Sequence, residues 1–567
     1  MKEFLTTLLI VGVILMGLWG CGGDGGNEEK APTAVETLPA SPAPPGETSP
    51  AGPAVPTGTL KIALKSVGLG DLMPWQNIQT WRIFINPAAD YLTYVDRETH
   101  ELIPGLATKW EISDDGMSCH FWLREGVRFH NGWGEMTSED VKYSLETSIN
   151  TPGRTASVDV KLMVAPVLDH IETPSRYEVV MYFNQPVASY APHWMSSSKR
   201  VNVPIFSKAY VEAVGPEEAS KKPVFTGPYR IVEYRPGTSI KLEAAGDTHW
   251  RVVPEYRYME FLEVPEETTR LAMFRRGDVD IVETSADAAA KLQSGGEGTI
   301  VRVERGQVLQ LSLFGQWLPD RALYDPNCPF LDKRVREALA LAIDTESIAK
   351  VIFGGNAQRT GSVPNTPWNE EFAPYPYDPT RAKELLKEAG YGKGFSVELF
   401  LFVYGTQASE MKDVLLAVAG YWDAIGVNTK LNEQGLTILR ALPTRDVPCK
   451  QGGGFTMGCP FQPWEQYFLA NFHSASRGLV HYESPELDAI LDQTQTVPVE
   501  ERPELVKKAM QYIYDEYVVI PLVAGDKLWV KGKNVGEWET IKFQPMDLLL
   551  EYVQHPTPLN TFRLFEP

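Results

Sequence analysis

An α/β fold of two or three domains is predicted for this chain, and three observations predict it. Strand-like runs alternate with helical runs over long stretches, and no segment repeats. The chain has 567 residues, and the part from Gly58 onward is too long for one compact domain. The hydrophobic fraction of 43% is ordinary for a globular protein, so sizeable cores are expected.

The first element is a processing segment. Lys2 supplies a small basic start, and Phe4 to Trp19 is an apolar run. That run is short for a membrane-spanning helix, which needs about 20 residues. It ends in Leu18-Trp19-Gly20-Cys21, which is similar to a lipobox, the signal after which the cysteine is lipid-modified and becomes the new N-terminus. Residues 1–20 are expected to be a signal peptide, and Cys21 to carry a lipid anchor in the cell envelope. From Gly22 to Thr57 the composition shifts to eight Pro and six Gly with no aromatic residue. Such a stretch buries too little apolar area to offset its ordering entropy, so residues 21–57 are expected to form an extended tether. The net charge of −20 argues against nucleic acid and anionic lipid surfaces as partners.

The densest signal runs from Leu102 to Ser144. Asp114-Asp115-Gly116 separates two extended runs, which is a hairpin signal because Gly adopts positive φ at no steric cost. Gly126 and Asn131-Gly132 punctuate the next stretch. Thr137-Ser138-Glu139-Asp140 then opens a helix, with a hydroxyl to cap it and acids at its positive end. Gly227-Pro228 forces a turn before a strand from Tyr229 to Tyr234. Gly277 ends a helix as the left-handed residue. Val335, Leu339 and Ile343 make one apolar helix face. Asp378 caps and Pro379 starts a further helix, which Gly390 closes. Met411 to Val427 carries another helix, ending in Ile425-Gly426-Val427. Ser484-Pro485 repeats the capping logic, and a helix from Arg502 to Tyr514 follows. Arg334 and Arg336 fit a structural ion-pair network better than an anion site. Cys119 falls in a strand and is expected to be a buried thiol. Cys449 and Cys459 flank a Gly-rich stretch and are expected to pair in an oxidising compartment, and Gly452-Gly453-Gly454 is expected to be a flexible loop.

Motifs for catalysis are missing from the sequence: there is no HExxH, no GxSxG and no P-loop lysine. His473 and His481 are too isolated to predict a metal site, and Asp114-Asp115 and Glu266-Glu267 read as turn or surface acids. The expectation is a binding protein with no enzymatic activity and no cofactor. A secreted hydrolase is the weaker alternative.

The segment Leu102 to Ser144 also carries a resemblance. Pro104-Gly105-Leu106-Ala107 with Trp110, the Asp115-Gly116 turn, Phe121 to Gly132 and the Glu139-Asp140-Val141 helix start resemble the family 5 extracellular solute-binding proteins of ABC importers, the peptide- and nickel-binding type. The resemblance continues at intervals: Thr59 to Leu64 as the first strand, Phe225 to Arg230, Thr268 to Ile281, Pro329 to Asp344, Asp378 to Tyr391, and Pro521-Leu522. It implies a two-lobed Venus-flytrap fold with an extra domain inserted near the N-terminus. The first lobe would comprise 58–80, 222–303 and 523–567, the inserted domain 81–221, and the second lobe 304–522. The chain would then cross between lobes near 303 and 522, with the ligand in the cleft that closes about those crossings.

What the resemblance implies for partners is a permease and an ATPase in the membrane, with this chain a monomeric, lipid-anchored capture protein on the outer face of the cytoplasmic membrane or in the periplasm. A sensor without transport is the alternative use of the same scaffold. Peptide-binding members hold the ligand ammonium with an Asp two residues after a Cys. Here that Cys aligns with Cys459 and the position holds Phe461, with Glu465 an offset substitute. Phe461, Gln462, Trp464 and Glu465 are therefore expected to line the cleft, together with Tyr404 and Gln407 before a helix and with Trp81 and Trp317 near the lobe junctions. Aromatic faces and amides suit an oligosaccharide slightly better than an oligopeptide.

Overall fold

The computed structural model describes residues 55–67, 71–73, 82–150, 160–197, 201–315, 317–362, 366, 368–403, 408–435, 449–457, 464–476, 481–541 and 547–559. The chain opens with β1 (Thr57–Leu64). An excursion follows, with the pair β2 (Thr93–Val95) and β3 (Leu102–Pro104) and the strands β4 (Ala107–Ile112), β5 (Ser118–Leu123), β6 (Leu168–Ser175) and β7 (Glu178–Phe183). The chain then forms β8 (Tyr229–Arg235), β9 (Ser239–Ala244), β10 (Tyr256–Glu263), β11 (Ile281–Glu283) and the long β12 (Thr299–Phe314). Beyond it lie β13 (Ala357–Arg359), β14 (Phe395–Val403), β15 (Val427–Gly435), β16 (Gln451–Met457) and a second long strand, β17 (Val519–Lys531).

Eleven of these strands form one sheet in the order β15-β14-β16-β12-β17-β11-β1-β10-β9-β8, with β13 on β17. β4, β5, β7 and β6 make a separate four-stranded sheet, the inserted domain. β1 shows why it is central. Leu60, Ile62 and Leu64 are buried in one core and Ala63 in another, so both faces are covered.

Local signals produce the expected local structure. β4 and β5 pair antiparallel across the turn, where Gly116 has φ +68° and the Asp115 carboxylate accepts from Met117 N–H. Gly126, Asn131 and Gly132 all have positive φ. The helix Ser138–Ile149 starts where the Asp140 carboxylate accepts from both the N–H and the hydroxyl of Thr137. Gly277 is left-handed after the helix Glu267–Arg276. Asp378 caps Pro379–Glu388, and Ser484 caps Pro485–Gln493. Arg334 and Arg336 pair with Asp332 and Glu516, as an ion-pair network requires. Cys119 is a buried thiol.

Two expectations are overturned. The stretch Gly452-Gly453-Gly454 is the middle of β16, hydrogen-bonded to β12 on one side and β14 on the other. Glycine serves close approach there: a Cβ on Gly452 would lie 2.9 Å from the Ser312 carbonyl oxygen. The cysteine pairing changes for the same reason. A paired strand of this length puts its ends about 20 Å apart, so Cys449 before it cannot reach a residue beyond its far end. Cys449 is bonded instead to Cys328, with Cα atoms 5.7 Å apart. Cys459 lies outside the described residues.

The two halves of the sheet are joined through β12 and β17. These strands pair in two stretches, Thr299–Val303 with Lys527–Lys531 and Gln307–Ser312 with Val519–Gly525, interrupted at 304–306. Before the break, Val301 and Val303 pack in the core that holds β1 and the inserted domain. After it, Leu309, Leu311 and Leu313 pack in a second core built on the helix Lys333–Leu341 and on β14. Arg305 sits in the break with φ +48°, a conformation that costs a non-glycine residue about 1–3 kcal/mol. Asp526 opposite holds it, accepting from Arg305 N–H at 3.0 Å and from Arg302 at 3.3 Å. The backbone irregularity thus falls where one core ends and the next begins.

Candidate functional site

β1, β10 and β11 are parallel, so their carboxyl ends lie along one edge of the first lobe. Ligands of open α/β sheets bind beyond such ends. The edge is lined with oriented carboxylates. Glu263 at the end of β10 accepts from Val67 N–H at 2.9 Å, and Glu283 at the end of β11 accepts from Lys65 N–H at 3.4 Å. Glu283 also forms a buried ion pair with Lys527 of β17 at 2.5 Å, one residue from Asp526. Arg270 clamps the loops beyond both strands through the carbonyls of Glu283, Val264 and Pro265.

A second region lies where the segment Ser189 to Trp194 meets the helices Trp464–Phe472 and Arg502–Asp515. Trp194 Nε1 donates to Gln466 Oε1 at 3.0 Å. Arg502 Nη1 donates to Ser189 Oγ at 3.1 Å and to Glu465 Oε1 at 3.4 Å. Gln495 Nε2 donates to Tyr190 OH at 3.4 Å, and the Arg502 guanidinium lies 5.2 Å over the Tyr190 ring. Glu465 is buried, and that burial raises its pKa, opposed by the charge of Arg502 and a hydrogen bond from Tyr190. Burial, followed by the Glu465 charge, raises the Tyr190 phenol far above its ordinary range.

β12 contributes polar groups of another kind. The Gln310 amide is wholly buried with neither its oxygen nor its nitrogen hydrogen-bonded, and Ser312 Oγ is in the same state. Leaving such groups unpaired costs about 1–3 kcal/mol each. A cavity of 680 Å³ lies elsewhere, between the segment 94–104 and residues 537–541 and 547–554, with Tyr94, Arg251, Trp538, Asp547 and Tyr552 in its wall. Its wall runs close to the crossing strands: the Trp538 ring lies 6.1 Å from that of Trp529 in β17, and Thr540, beside Ile541 of the wall, donates to the Arg302 carbonyl of β12 at 2.7 Å. Among the described residues no group of His, Cys, Asp and Glu is arranged to hold a metal ion.

The model of one family, described as bacterial extracellular solute-binding proteins, family 5, matches residues 101–450, more than half of the chain. The chain belongs to this family. The dipeptide-binding protein of Escherichia coli (strain K12) is 25% identical over 445 residues, covering 74% of this chain and 80% of that one. Heme-binding protein A of Haemophilus influenzae is 26% identical over 447 residues, covering 74% and 79%. Among solved structures, the periplasmic binding protein DppA from Helicobacter pylori, in complex with the peptide STSA, superposes with a TM-score of 0.73 at 21% identity, covering 89% of this chain and 99% of that one. The two-lobed fold is therefore shared.

As a family 5 protein, the chain places its expected cleft residues unevenly. Trp81, Tyr404, Gln407, Phe461 and Gln462 lie outside the described residues, as does Cys21. Trp317 is buried in the second core, its ring 4.7 Å from that of Tyr482 and its backbone N–H bonded to Glu483. Trp464 is half-buried at the start of the helix Trp464–Phe472, edge-on to Trp368 at 4.9 Å, with its Nε1 buried and without a hydrogen-bond acceptor. Glu465 is buried and forms an ion pair with Arg502 at 3.4 Å. The sequence reading missed Ser189, Tyr190, Trp194 and Arg502. The only signal for the first three was the tryptophan and tyrosine content of a short segment, Ser189 to Trp194, with no motif attached, and Arg502 was read only as a helix start.

Proposed function

We propose that this chain captures a short peptide or peptide-like polar solute between its two lobes and delivers it to the permease of an ABC importer, itself catalysing nothing. The observation that carries the reading is the break at 304–306, where two separate cores share two crossing strands. A ligand touching both lobes favours the closed arrangement by its differential contacts, which is what a capture protein requires. The lobe limits given by the sequence, 58–80 with 222–303 and 523–567 against 304–522, with 81–221 inserted, stand as part of the proposal: the change of core across 304–306 supports the first crossing, whereas Val523 and Ala524 still pack with the cores of the second lobe, and the inserted stretch shares one core with β1. So do the signal peptide, the lipid anchor on Cys21 and the tether, which would hold a monomer at the outer face of the membrane.

The ligand class is argued from what the aromatic residues do. An oligosaccharide reading needed open aromatic faces, and Trp317 is in the core while Trp464 leans on Trp368. A relative named for dipeptides favours a compact polar organic ligand. Gln310 and Ser312 are the proposed hydrogen-bonding contacts in the second lobe, and the Glu263–Glu283 edge in the first.

A thermal-shift panel tests this with di- and tripeptides, glutathione and oligosaccharides. A ligand at about 100 times its Kd adds about 2.7 kcal/mol of stability, a shift of a few degrees. A shift with peptides supports the reading. A shift with oligosaccharides alone overturns the ligand class, and turnover of any of these compounds overturns the assignment as a binding protein.

A further inference from the structure

We infer that Ser189, Tyr190 and Trp194 close on Glu465, Gln466 and Arg502 as a polar clasp that sets how much of the ligand-free protein is closed. The inference rests on the lobe-closure reading above, and it concerns an element of that motion that lies outside the ligand contacts.

Tyr190 and Trp194 are packed in the core that holds β1 and the inserted domain. The helices Trp464–Phe472 and Arg502–Asp515 pack with each other in a different core, through Tyr467, Phe468, Val506 and Ala509. Each bond between these groups therefore joins bodies that are built separately. Two of the bonds have ordinary lengths, Trp194 to Gln466 at 3.0 Å and Arg502 to Ser189 at 3.1 Å, and a third, Gln495 to Tyr190, is long at 3.4 Å. When the lobes part, Arg502 keeps Glu465, because both are in the same lobe. Only the bonds from Ser189, Tyr190 and Trp194 are exchanged for water.

That partition suits a reversible contact. An apolar seal of the same area would leave a sticky patch whenever the protein opened. Polar groups exchange partners with water at small net cost, so the closed arrangement is favoured without being locked. The residues that stay behind on the second lobe remain neutralised as a pair. The apparent affinity for a solute scales with the population of the competent arrangement, so the clasp tunes affinity without touching the solute.

The test uses the full chain without ligand. Trp194→Phe removes one donor and keeps the ring, and Gln466→Ala removes its acceptor from the other side. Hydrogen exchange is read at 188–194 and at 464–472, with small-angle scattering for overall opening. Each single variant is expected to speed exchange in both segments by about two- to tenfold and to increase the radius of gyration. The double variant is expected to add little to either single one, because the two residues share one bond. Unchanged exchange, exchange that rises only in the mutated segment, or full additivity each overturns the clasp. Should Trp194→Phe lower the melting temperature, Gln466→Ala with Ser189→Ala gives the same reading from positions outside the hydrophobic cores. No solute enters the experiment. A panel in which no solute binds would thus count against the proposed function alone, and an unresponsive clasp would leave that function standing.

Discussion

Replacing both Cys328 and Cys449 by Ser removes the one disulfide among the described residues. The magnitude follows from the loop it closes. The two cysteines are separated by 121 residues, a span that contains β13, β14 and β15. Closing a loop of that length removes about 16 cal/mol/K from the unfolded chain, or about 5 kcal/mol at 25 °C, near the upper end of what native disulfides contribute. For a unit of about 200 residues each kcal/mol moves the midpoint by about 2–4 °C, so the transition of the second lobe should fall by about 10–20 °C. Differential scanning calorimetry of the double variant measures this, and peptide mapping without reduction identifies the bonded pair. A drop below about 3 °C would refute the loop argument. A peptide linking Cys449 to Cys459 would refute the pairing itself, and with it the account of β16 as a strand that holds those two residues apart.

Three further outcomes are expected. His130 is buried with its Nε2 on the Gly227 carbonyl at 2.8 Å, and desolvation by that burial, only partly offset by this bond, lowers its pKa to about 4. The unfolded chain therefore binds a proton that the folded one refuses as pH falls from about 6.5 to about 4, so stability is lost across that window, by about 3 kcal/mol in all; urea titrations at pH 7 and pH 4.5 should show the loss in the native protein and not in His130→Gln. Gly227→Ala puts a Cβ 2.4 Å from the backbone carbon of Ala88 and should cost about 3 kcal/mol or more in thermal unfolding, whereas Gly420→Ala, in a helix with open space around it, should stabilise by about 0.5–1 kcal/mol.

Much of the fold was legible because its signals are local. The Asp115-Gly116 turn, the Thr137 helix start and the Asp378-Pro379 cap each depend on residues within four positions of one another, so the sequence states them directly. β16 was not legible. Three glycines in a row carry no strand propensity, and for Gly452 the reason lies in the approach of Ser312 and Leu399 from its two neighbours. The disulfide follows β16 and was misread with it. The site suffered from a different limit. Trp317 and Glu465 are residue types that suit a cleft, but what decides their role is a partner more than 35 positions away, Arg502 for Glu465 and Tyr482 for Trp317. Periodicity and spacing do not encode such partners.

The place of β17 in the sheet has a consequence for how the protein is made. The strand lies between β12 and β11 and is paired to both, yet it spans residues 519–531 of 567. A chain emerging from the ribosome has β1, β10 and β11 early but lacks the strand that joins them to the rest. Neither lobe can complete its sheet until nearly the whole polypeptide exists, and contacts of such long sequence separation form slowly. For the exported chain proposed above, a central strand supplied last would act as a timer, keeping the chain unfinished through most of its synthesis.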